Sequence, residues 1–457
     1  MFLNRNPADT AAGNLNLGQL VGYAGLSLPL ALVVFPAYAI LPGFYAQHTA
    51  IPLATIGVIL TISRAFDAIV DPLIGYCSDR TKSRWGSRKP WVLIGTVVLA
   101  ISMPRLYMPG PDATAGSYLF WFLLFYFGYS LIEIPHKAWG TELARDYLGR
   151  SLIATALAVA FSIGTLLFAA APFLREEGNK GYDAETLASV ASVFVVVLPV
   201  LASLALWFVP TTATWDAVSP LSPREILRGL MLNRPLRWFL CIFILTGLGQ
   251  GIFYGLVFLY LTNVLPFKQH FALVLLVDAV MSLAGLPLWY RVIITLGKHR
   301  AWSIGMAISA AALSCMLLIP EGSAGLTVLL VLIALRALGS SVVYVAPNAL
   351  IGDVVDFELY KSGANLAANF HAAVSLATKG TATIGGGLGL ILVGLIGFDP
   401  KVPSSASTAF TFGCVATVLP ALLLIGASIA AWAFPLTRKH QKTIERALMK
   451  RRSRING

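Results

Sequence analysis

Charged residues are scarce in this 457-residue chain: they make up 12% of it, against about 25% in a typical soluble domain. This number of charges cannot cover the water-facing surface of a soluble protein of 457 residues. Most of the exterior must therefore face lipid. Cysteine is scarce as well, with four residues and no CxxC spacing. These absences exclude soluble domains, disorder and coiled coils, and they exclude a disulfide or zinc framework.

Hydrophobic residues make up 57% of the chain and gather in long runs. A bilayer core about 30 Å thick needs about 20 apolar residues for each helical crossing. The sequence therefore predicts an all-α membrane protein with twelve transmembrane helices. The predicted spans are residues 17–43, 52–77, 91–109, 117–140, 151–173, 188–209, 236–262, 270–290, 301–319, 325–350, 365–397 and 408–435.

The longest connection divides these spans six plus six, and the two halves align at an offset of 211 residues. Asp67 then meets Asp278, and the loop string GSRKPW meets GKHRAW. Duplicated six-span halves are the usual architecture of a secondary transporter. The predicted parts are an N-terminal bundle, a cytoplasmic linker, a C-terminal bundle and a basic cytoplasmic tail, at residues 1–209, 210–237, 238–437 and 438–457.

Lys and Arg concentrate in the termini and in the even-numbered loops. By the positive-inside rule this predicts a multi-pass protein of the plasma (inner) membrane with both termini in the cytoplasm. The net charge of +12 is then explained by this cytoplasmic collar and by a tail that lies against anionic membrane lipids. We expect no nucleic-acid partner and no obligate protein partner.

The second span carries three charges, Arg64, Asp67 and Asp71. Spacings of three and four residues put these side chains on one helical face. Two buried carboxylates one turn apart repel each other, and one arginine cannot neutralise both. The pattern favours a site that takes a proton or a cation such as Na⁺ at Asp67 and Asp71; the alternative is a static network that joins helices.

The fourth span contributes Ser130 and Glu133, and a hydroxyl beside a carboxylate provides the oxygen ligands that hard cations prefer. The alternative for Glu133 is a structural ion pair. Tyr129, Lys137 and Trp139 lie within a turn or two and are predicted to belong to a substrate or charge network. Lys137 is near the cytoplasmic end of the span, so a lysine that merely extends to the interface explains it equally well.

Three further polar residues lie in predicted spans. Lys379 stands alone in the eleventh span, where a lysine must find carboxylates or lose its proton, so we assign it to the coupling group. Asp278 lacks a second carboxylate one turn away and is predicted to be structural or accessory. His136 is predicted to be a polar wall residue.

The loop after the second span, SDRTKSRWGSRK, mixes one acid with several bases. We predict that Asp79, Arg80, Arg84 and Arg88 form a conformational latch that pairs charges with helix ends when the cytoplasmic side closes. Control of membrane topology alone would explain the same charges.

The strings DAIVDPLIGYCSDRTKSRWGSRKPW and IEIPHKAWG resemble the glycoside–pentoside–hexuronide:cation symporters, the melibiose-permease branch of the major facilitator superfamily, along the whole chain. The resemblance implies the major facilitator fold and a cation site at Asp67 and Asp71. It also implies that Ser130 stands where the family has threonine, that Glu133 stands where it has aspartate, and that Lys379 matches its eleventh-helix lysine.

The chain departs from the family pattern at several positions. Val70 replaces an asparagine in span two, which removes an oxygen ligand and favours H⁺ over Na⁺ as the coupling ion. Ala158 and Lys137 replace an arginine and a tryptophan that help bind galactosides, and the first span lacks an aspartate. The expected substrate is a sugar, glycoside or related small-molecule solute, and a lysolipid is the alternative.

Catalytic motifs are missing from the sequence: it has no HExxH, no glycine-flanked nucleophilic serine and no phosphate-binding glycine loop. We therefore predict that the protein is not an enzyme and uses no cofactor.

Overall fold

The computed structural model describes residues 15–110, 112–143, 147–174, 182–210, 233–265, 267–320, 322–362 and 367–436 and six tail positions, 440, 441, 443, 444, 446 and 447. At some helical positions it describes the backbone alone. Every regular element in these ranges is helical. The predicted all-α class is confirmed.

Eleven helices in the described part of the chain are long and apolar enough to cross a membrane. They are Leu17–Ala39, Leu53–Arg80, Lys89–Tyr107, Ala115–Gly140, Leu152–Phe173, Ala184–Phe208, Arg234–Val264, Lys268–Leu296, Lys298–Leu318, Ala324–Lys361 and Ala406–Trp432. The segment Gly380–Leu395 is apolar but shorter, and it forms the second half of the helix Ala367–Leu395.

The chain divides into two compact units. Unit 1 comprises the described parts of Met1–Ile51 and Ile62–Val218. Its helices are α1 (Leu17–Gly25), α2 (Ser27–Ala39), α3 (Leu41–His48), α4 (Leu53–Arg80), α5 (Lys89–Tyr107), α6 (Ala115–Leu143), α7 (Tyr147–Ala170) and α8 (Ala184–Phe208). The beginning of α4 groups with unit 2.

Unit 2 comprises Pro52–Thr61 and the described parts of Ser219–Gly457. Its remaining helices are α9 (Arg234–Leu259), α10 (Phe271–Leu296), α11 (Lys298–Cys315), α12 (Ser323–Ser340), α13 (Ala346–Ser362), α14 (Ala367–Leu395), α15 (Ala406–Gly413) and α16 (Leu419–Trp432). Single-turn π-helices, Tyr260–Val264 and Cys414–Val418, end α9 and join α15 to α16.

The first predicted span, residues 17–43, is interrupted: it comprises α1, α2 and the beginning of α3. Asn16 begins it with a capping box, in which its side chain accepts from the Gln19 backbone N–H and the Gln19 side chain accepts in return. Pro42 stands at the start of α3. Since proline has no N–H and its ring clashes with the preceding turn, it favours a break at this point.

In unit 1, α5 packs closely against α6. A Cβ on Gly128 of α6 would lie 2.9 Å from the Leu99 backbone nitrogen, and one on Gly95 of α5 would lie 3.0 Å from the Gly128 oxygen. Real Cβ contacts are not that short, so glycine is required for this approach. The packing fixes the stretch of α6 that carries Tyr129, Ser130 and Glu133.

In unit 2 the closest packing joins α9 to α14. A Cβ on Gly251 would lie 2.0 Å from the Ala382 oxygen, and one on Gly255 would lie 2.6 Å from the Gly386 Cα. The opposite side of α14 receives the start of α4, where a Cβ on Gly57 would lie 2.5 Å from the Gly387 oxygen. This close approach explains why residues 52–61 group with unit 2.

Large apolar side chains also cover the outside of both units. Ile69 and Val196 in unit 1 are 66% and 64% exposed, and Ile429 in unit 2 is 66% exposed. Water would penalise such a surface, whereas lipid tails accept it. The exterior therefore agrees with the low charge content of the sequence.

Candidate functional site

Arg64 and Asp67 form a buried ion pair on α4. A nitrogen of the Arg64 guanidinium lies 2.7 Å from an Asp67 oxygen, and the two residues are 8% and 7% exposed. The guanidinium also lies over the Tyr126 ring of α6, 4.2 Å from its centroid. The arginine is thus held by a carboxylate on its own helix and by an aromatic face on the next.

Asp71 follows Asp67 by one turn of the same helix and is partly buried. Because the Arg64 guanidinium pairs with Asp67, the two aspartates have different surroundings. The neighbouring Val70 is partly buried as well, and its side chain provides no oxygen. The site predicted on this face therefore contains one carboxylate in an arginine pair and a second carboxylate one turn away.

On α6 the predicted residues Tyr129, Ser130, Glu133 and Lys137 follow one another at helical spacing. Tyr129 and Ser130 are buried, at 9% and 3% exposure. The Lys137 ammonium donates to Glu133 Oε1 at 2.6 Å. The Glu133 side chain is 12% exposed and the Lys137 side chain is 64% exposed, so the lysine extends from a carboxylate that is largely shielded from solvent.

Trp139 and His136 face the first helix. Trp139 is fully buried in a cluster with Tyr23 and Val209, and its indole N–H donates to the Pro210 carbonyl at 3.1 Å. The Tyr23 hydroxyl donates to the His136 carbonyl at 2.6 Å, and His136 Nε2 lies 2.9 Å from the Tyr23 carbonyl oxygen. These contacts join α1 to α6. A role for Trp139 in a substrate or charge network stays a prediction.

The predicted latch residues separate into two groups. Arg88 lies 2.5 Å from Asp79 and 2.7 Å from Glu142 of α6. Arg80 instead lies over the Tyr76 ring at 3.6 Å, and Arg84 lies over its neighbour Trp85 at 5.8 Å. Glu142 was not predicted from the sequence. An acid near the end of a span that basic residues flank could have indicated it.

Lys379 lies on α14, where its backbone is helical. Its side chain lies outside the described part of the structure. Its predicted pairing with the carboxylates of α4 and α6 therefore stays a prediction.

Unit 2 contains a second buried charge network. Arg336 of α12 is 0% exposed and pairs with Asp278 of α10. Its other terminal contacts are the Tyr254 hydroxyl and Gln250 Oε1 of α9, each at 3.0 Å, and the Tyr254 hydroxyl donates to Asp278 Oδ2 at 3.0 Å. Gln250 and Tyr254 were not predicted from the sequence. Their spacing, two polar residues four apart in an apolar span, could have indicated them.

A second ion pair in unit 2 corresponds to the Arg88–Glu142 pair. The Lys298 ammonium lies 2.7 Å from Asp353 and donates to the Ala349 carbonyl at 3.0 Å. In each unit, a base at the start of one helix thus pairs with an acid on a later helix, α6 for Arg88 and α13 for Lys298. The Gln441 side-chain amide of the tail also donates to Asp353.

The donor chemistry of these sites is oxygen and nitrogen from single charged pairs. Within the ranges that the structure describes, no three His, Cys, Asp or Glu side chains gather closely enough to form a metal centre. A transported sodium ion would therefore need hydroxyl or carbonyl oxygens as well as carboxylates.

Comparisons with known proteins concern the chain as a whole. The family model described as MFS/sugar transport protein matches residues 20–438. The glucuronide carrier protein homolog of Escherichia coli (strain K12) is 26% identical over 416 residues, covering 88% of this chain and 88% of that protein. The sodium-dependent lysophosphatidylcholine symporter 1 of Gallus gallus is 21% identical over 462 residues, covering 91% and 87%.

A crystal structure of a variant of the nucleoside transporter NupG superposes with a TM-score of 0.66. It is 16% identical, and the match covers 92% of this chain and 100% of the other. At this identity the likeness concerns the fold alone.

Proposed function

The chain belongs to the MFS/sugar transport protein family, and we propose that it is a cation-coupled symporter for a sugar, glycoside or related polar organic solute. The family match confirms the resemblance to the glycoside–pentoside–hexuronide:cation symporters. The protein is accordingly a multi-pass secondary transporter and not an enzyme. The solute class, the coupling ion and the residues that bind them are the proposed part.

The proposed architecture has twelve membrane crossings in two six-helix repeats, with both termini in the cytoplasm of an inner-membrane protein. Counting α14 as a crossing supplies the twelfth. Two correspondences support the repeat: Asp67 and Asp278 each pair with an arginine, and the Arg88–Glu142 pair has a counterpart in Lys298–Asp353. The proposed linker and tail are residues 210–237 and 438–457.

The observation that carries the coupling proposal is the group of carboxylates on α4 and α6. Between residues 64 and 71 of α4 and between 129 and 137 of α6 there are three carboxylates, Asp67, Asp71 and Glu133, and two cations, Arg64 and Lys137. Each cation pairs with one carboxylate. Three carboxylates grouped in a membrane interior are costly, so this group is the proposed place for the coupling cation.

We assign that cation to Asp71, with Asp67 as its neighbour. A cation that neutralises this turn lowers the cost of the conformational change that moves the site across the membrane. Solute and cation then cross together if only the doubly loaded or the empty carrier changes its orientation. Alternating access of this kind couples a downhill ion to an uphill solute.

A proton is the coupling ion we favour. Sodium needs several oxygen ligands to replace its hydration shell, and Val70 supplies none. A proton needs no coordination shell and requires only one carboxyl group, such as that of Asp71. The Lys379 ammonium, on α14, is the proposed positive partner of this group.

The test uses purified protein in liposomes, with uptake followed for a panel of hexoses, glycosides and hexuronides. We expect concentrative uptake driven by an inward proton gradient in sodium-free buffer, with loss of protons from the outside medium when solute is added. Uptake that moves no protons and requires a sodium gradient would overturn the choice of ion. Uptake that never exceeds equilibrium would overturn symport.

The second candidate substrate class is a lysolipid or another amphipathic solute. The 21% identity with a sodium-dependent lysophosphatidylcholine symporter favours it, and so does the substitution of Ala158 and Lys137 for residues that bind galactosides in the family. Including lysophosphatidylcholine in the same uptake panel separates the two classes.

A further inference from the structure

Lys137 and Glu133 form an intrahelical ion pair whose two members differ in exposure. They are four residues apart on α6, and the ammonium donates to Glu133 Oε1 at 2.6 Å. The Glu133 side chain is 12% exposed, whereas 64% of the Lys137 side chain is exposed. The lysine therefore extends from open space back to a shielded carboxylate.

The direction of this contact argues against a lysine that only reaches for the membrane interface. An interfacial lysine keeps its ammonium in water beyond the end of the helix. The Lys137 ammonium instead binds an acid one turn toward the helix N-terminus. A largely desolvated carboxylate is costly without a cation, so this contact compensates the negative charge of Glu133.

A cation attached to the same helix has an advantage over a free ion. Because the lysine is held four residues away, it stays within reach of Glu133 at all times, which amounts to a high effective concentration. A sodium ion would have to displace the ammonium from Oε1 and remain within a few ångströms of a like charge. Lys137 thus competes with sodium for the carboxylate that it binds.

We propose that Lys137 is a tethered counter-cation that excludes sodium from Glu133. This inference rests on the proposed function, since it assumes that the carboxylates of α4 and α6 hold the coupling ion. It makes Lys137 a specificity-determining residue. The chain carries its own cation at a position that a sodium-coupled carrier would leave to the ion.

The experiment measures sodium binding to the full-length purified protein, without any solute. Sodium chloride is titrated against N-methylglucamine chloride at constant ionic strength, and the midpoint of thermal unfolding is recorded. Removing the ammonium in Lys137→Met should lower the sodium concentration of half-maximal stabilisation by about tenfold, the factor expected for losing a partly buried competing charge.

Three variants make the result specific. Lys137→Arg keeps a tethered cation and should titrate like the wild type. Lys137→Gln removes the charge with a polar side chain of shorter reach and should behave like Lys137→Met. The double variant Lys137→Met/Glu133→Gln removes the carboxylate as well, and it should lose the added sodium response.

Two results would overturn the inference. The first is a sodium titration of Lys137→Met and Lys137→Gln that matches the wild type. The second is a gain of sodium binding that persists in the double variant, because the ion would then bind elsewhere. Failure of the symport proposal is read separately, from the absence of concentrative uptake by wild-type liposomes, and it leaves the sodium titration interpretable.

Discussion

Both units bury an aspartate against an arginine beside a tyrosine, but the two networks differ in their other members. In unit 2, Arg336 and Asp278 balance each other, and Tyr254 and Gln250 satisfy the terminal nitrogens of the guanidinium. In unit 1, the Arg64–Asp67 pair has an additional carboxylate, Asp71, one turn away.

This difference between the two networks indicates that one has a structural role and the other a role in transport. A neutral network with complementary hydrogen bonds has no need of an external ion, and its three helices are held together by it. A pair with a second carboxylate one turn away is the arrangement that we propose to hold the coupling ion. We therefore propose a division of labour between the two networks: the one in unit 1 couples transport to the ion, and the one around Arg336 in unit 2 holds its helices together.

The largest expected effect is on transport. Asp71→Asn removes the second carboxylate of this face of α4 and should abolish concentrative uptake, while exchange of solute across the membrane continues in folded protein. Uptake into liposomes, with folding checked by gel filtration in detergent, measures the effect. Asp399→Asn, in a loop of unit 2, serves as the control and should transport normally. Normal accumulation by Asp71→Asn would remove the basis for the comparison.

The next effect is on stability and concerns unit 2. Asp278→Asn leaves the fully buried Arg336 without its carboxylate and should destabilise the protein by about 3–5 kcal/mol. The double variant Asp278→Asn/Arg336→Gln removes both charges and should recover part of that loss. Thermal unfolding in detergent measures it. If the single variant is stable but transports nothing, the network in unit 2 has a transport role and the division of labour is wrong.

Helix packing gives the third prediction. Gly251→Ala places a methyl group 2.0 Å from the Ala382 oxygen in unit 2 and should cost about 1–3 kcal/mol of stability. Gly128→Ala in unit 1, where the nearest atom is at 2.9 Å, should cost less. The control is Gly352→Ala on α13, since a methyl group there meets no atom within 4 Å; equal losses in all three would show that helix packing is not the cause.

The smallest effects concern the loop after α4. Arg88→Gln breaks contacts with Asp79 and Glu142 and should lower stability by about 1–2 kcal/mol together with the uptake rate. Arg84→Gln removes only an exposed contact with Trp85, so stability should change by about 0.5 kcal/mol or less. Uptake rates and unfolding midpoints measure the effects of both variants. A strong transport defect in Arg84→Gln would show that Arg84 belongs to the latch.

Much of the site could be predicted from local spacing. The contacts Arg64–Asp67 and Lys137–Glu133 join residues three and four apart on one helix, and helix geometry alone places such pairs together. The partners that were missed come from distant parts of the sequence. Arg88 meets Glu142 across 54 residues, and Arg336 meets Tyr254 across 82, so a local pattern could mark these residues as polar but could not pair them.

The sequence by itself determined that the protein is helical and lies in a membrane, because a chain so poor in charge cannot cover itself in water and a backbone in lipid must satisfy its own hydrogen bonds. It also determined which intramembrane charges need an explanation. Only the tertiary structure decided which arginine holds which aspartate, because that depends on how closely glycine-bearing helices approach and on which side chains then meet. The ion pairs of a site therefore depend on helix packing, because their partners are set by distance in space and not by distance along the chain.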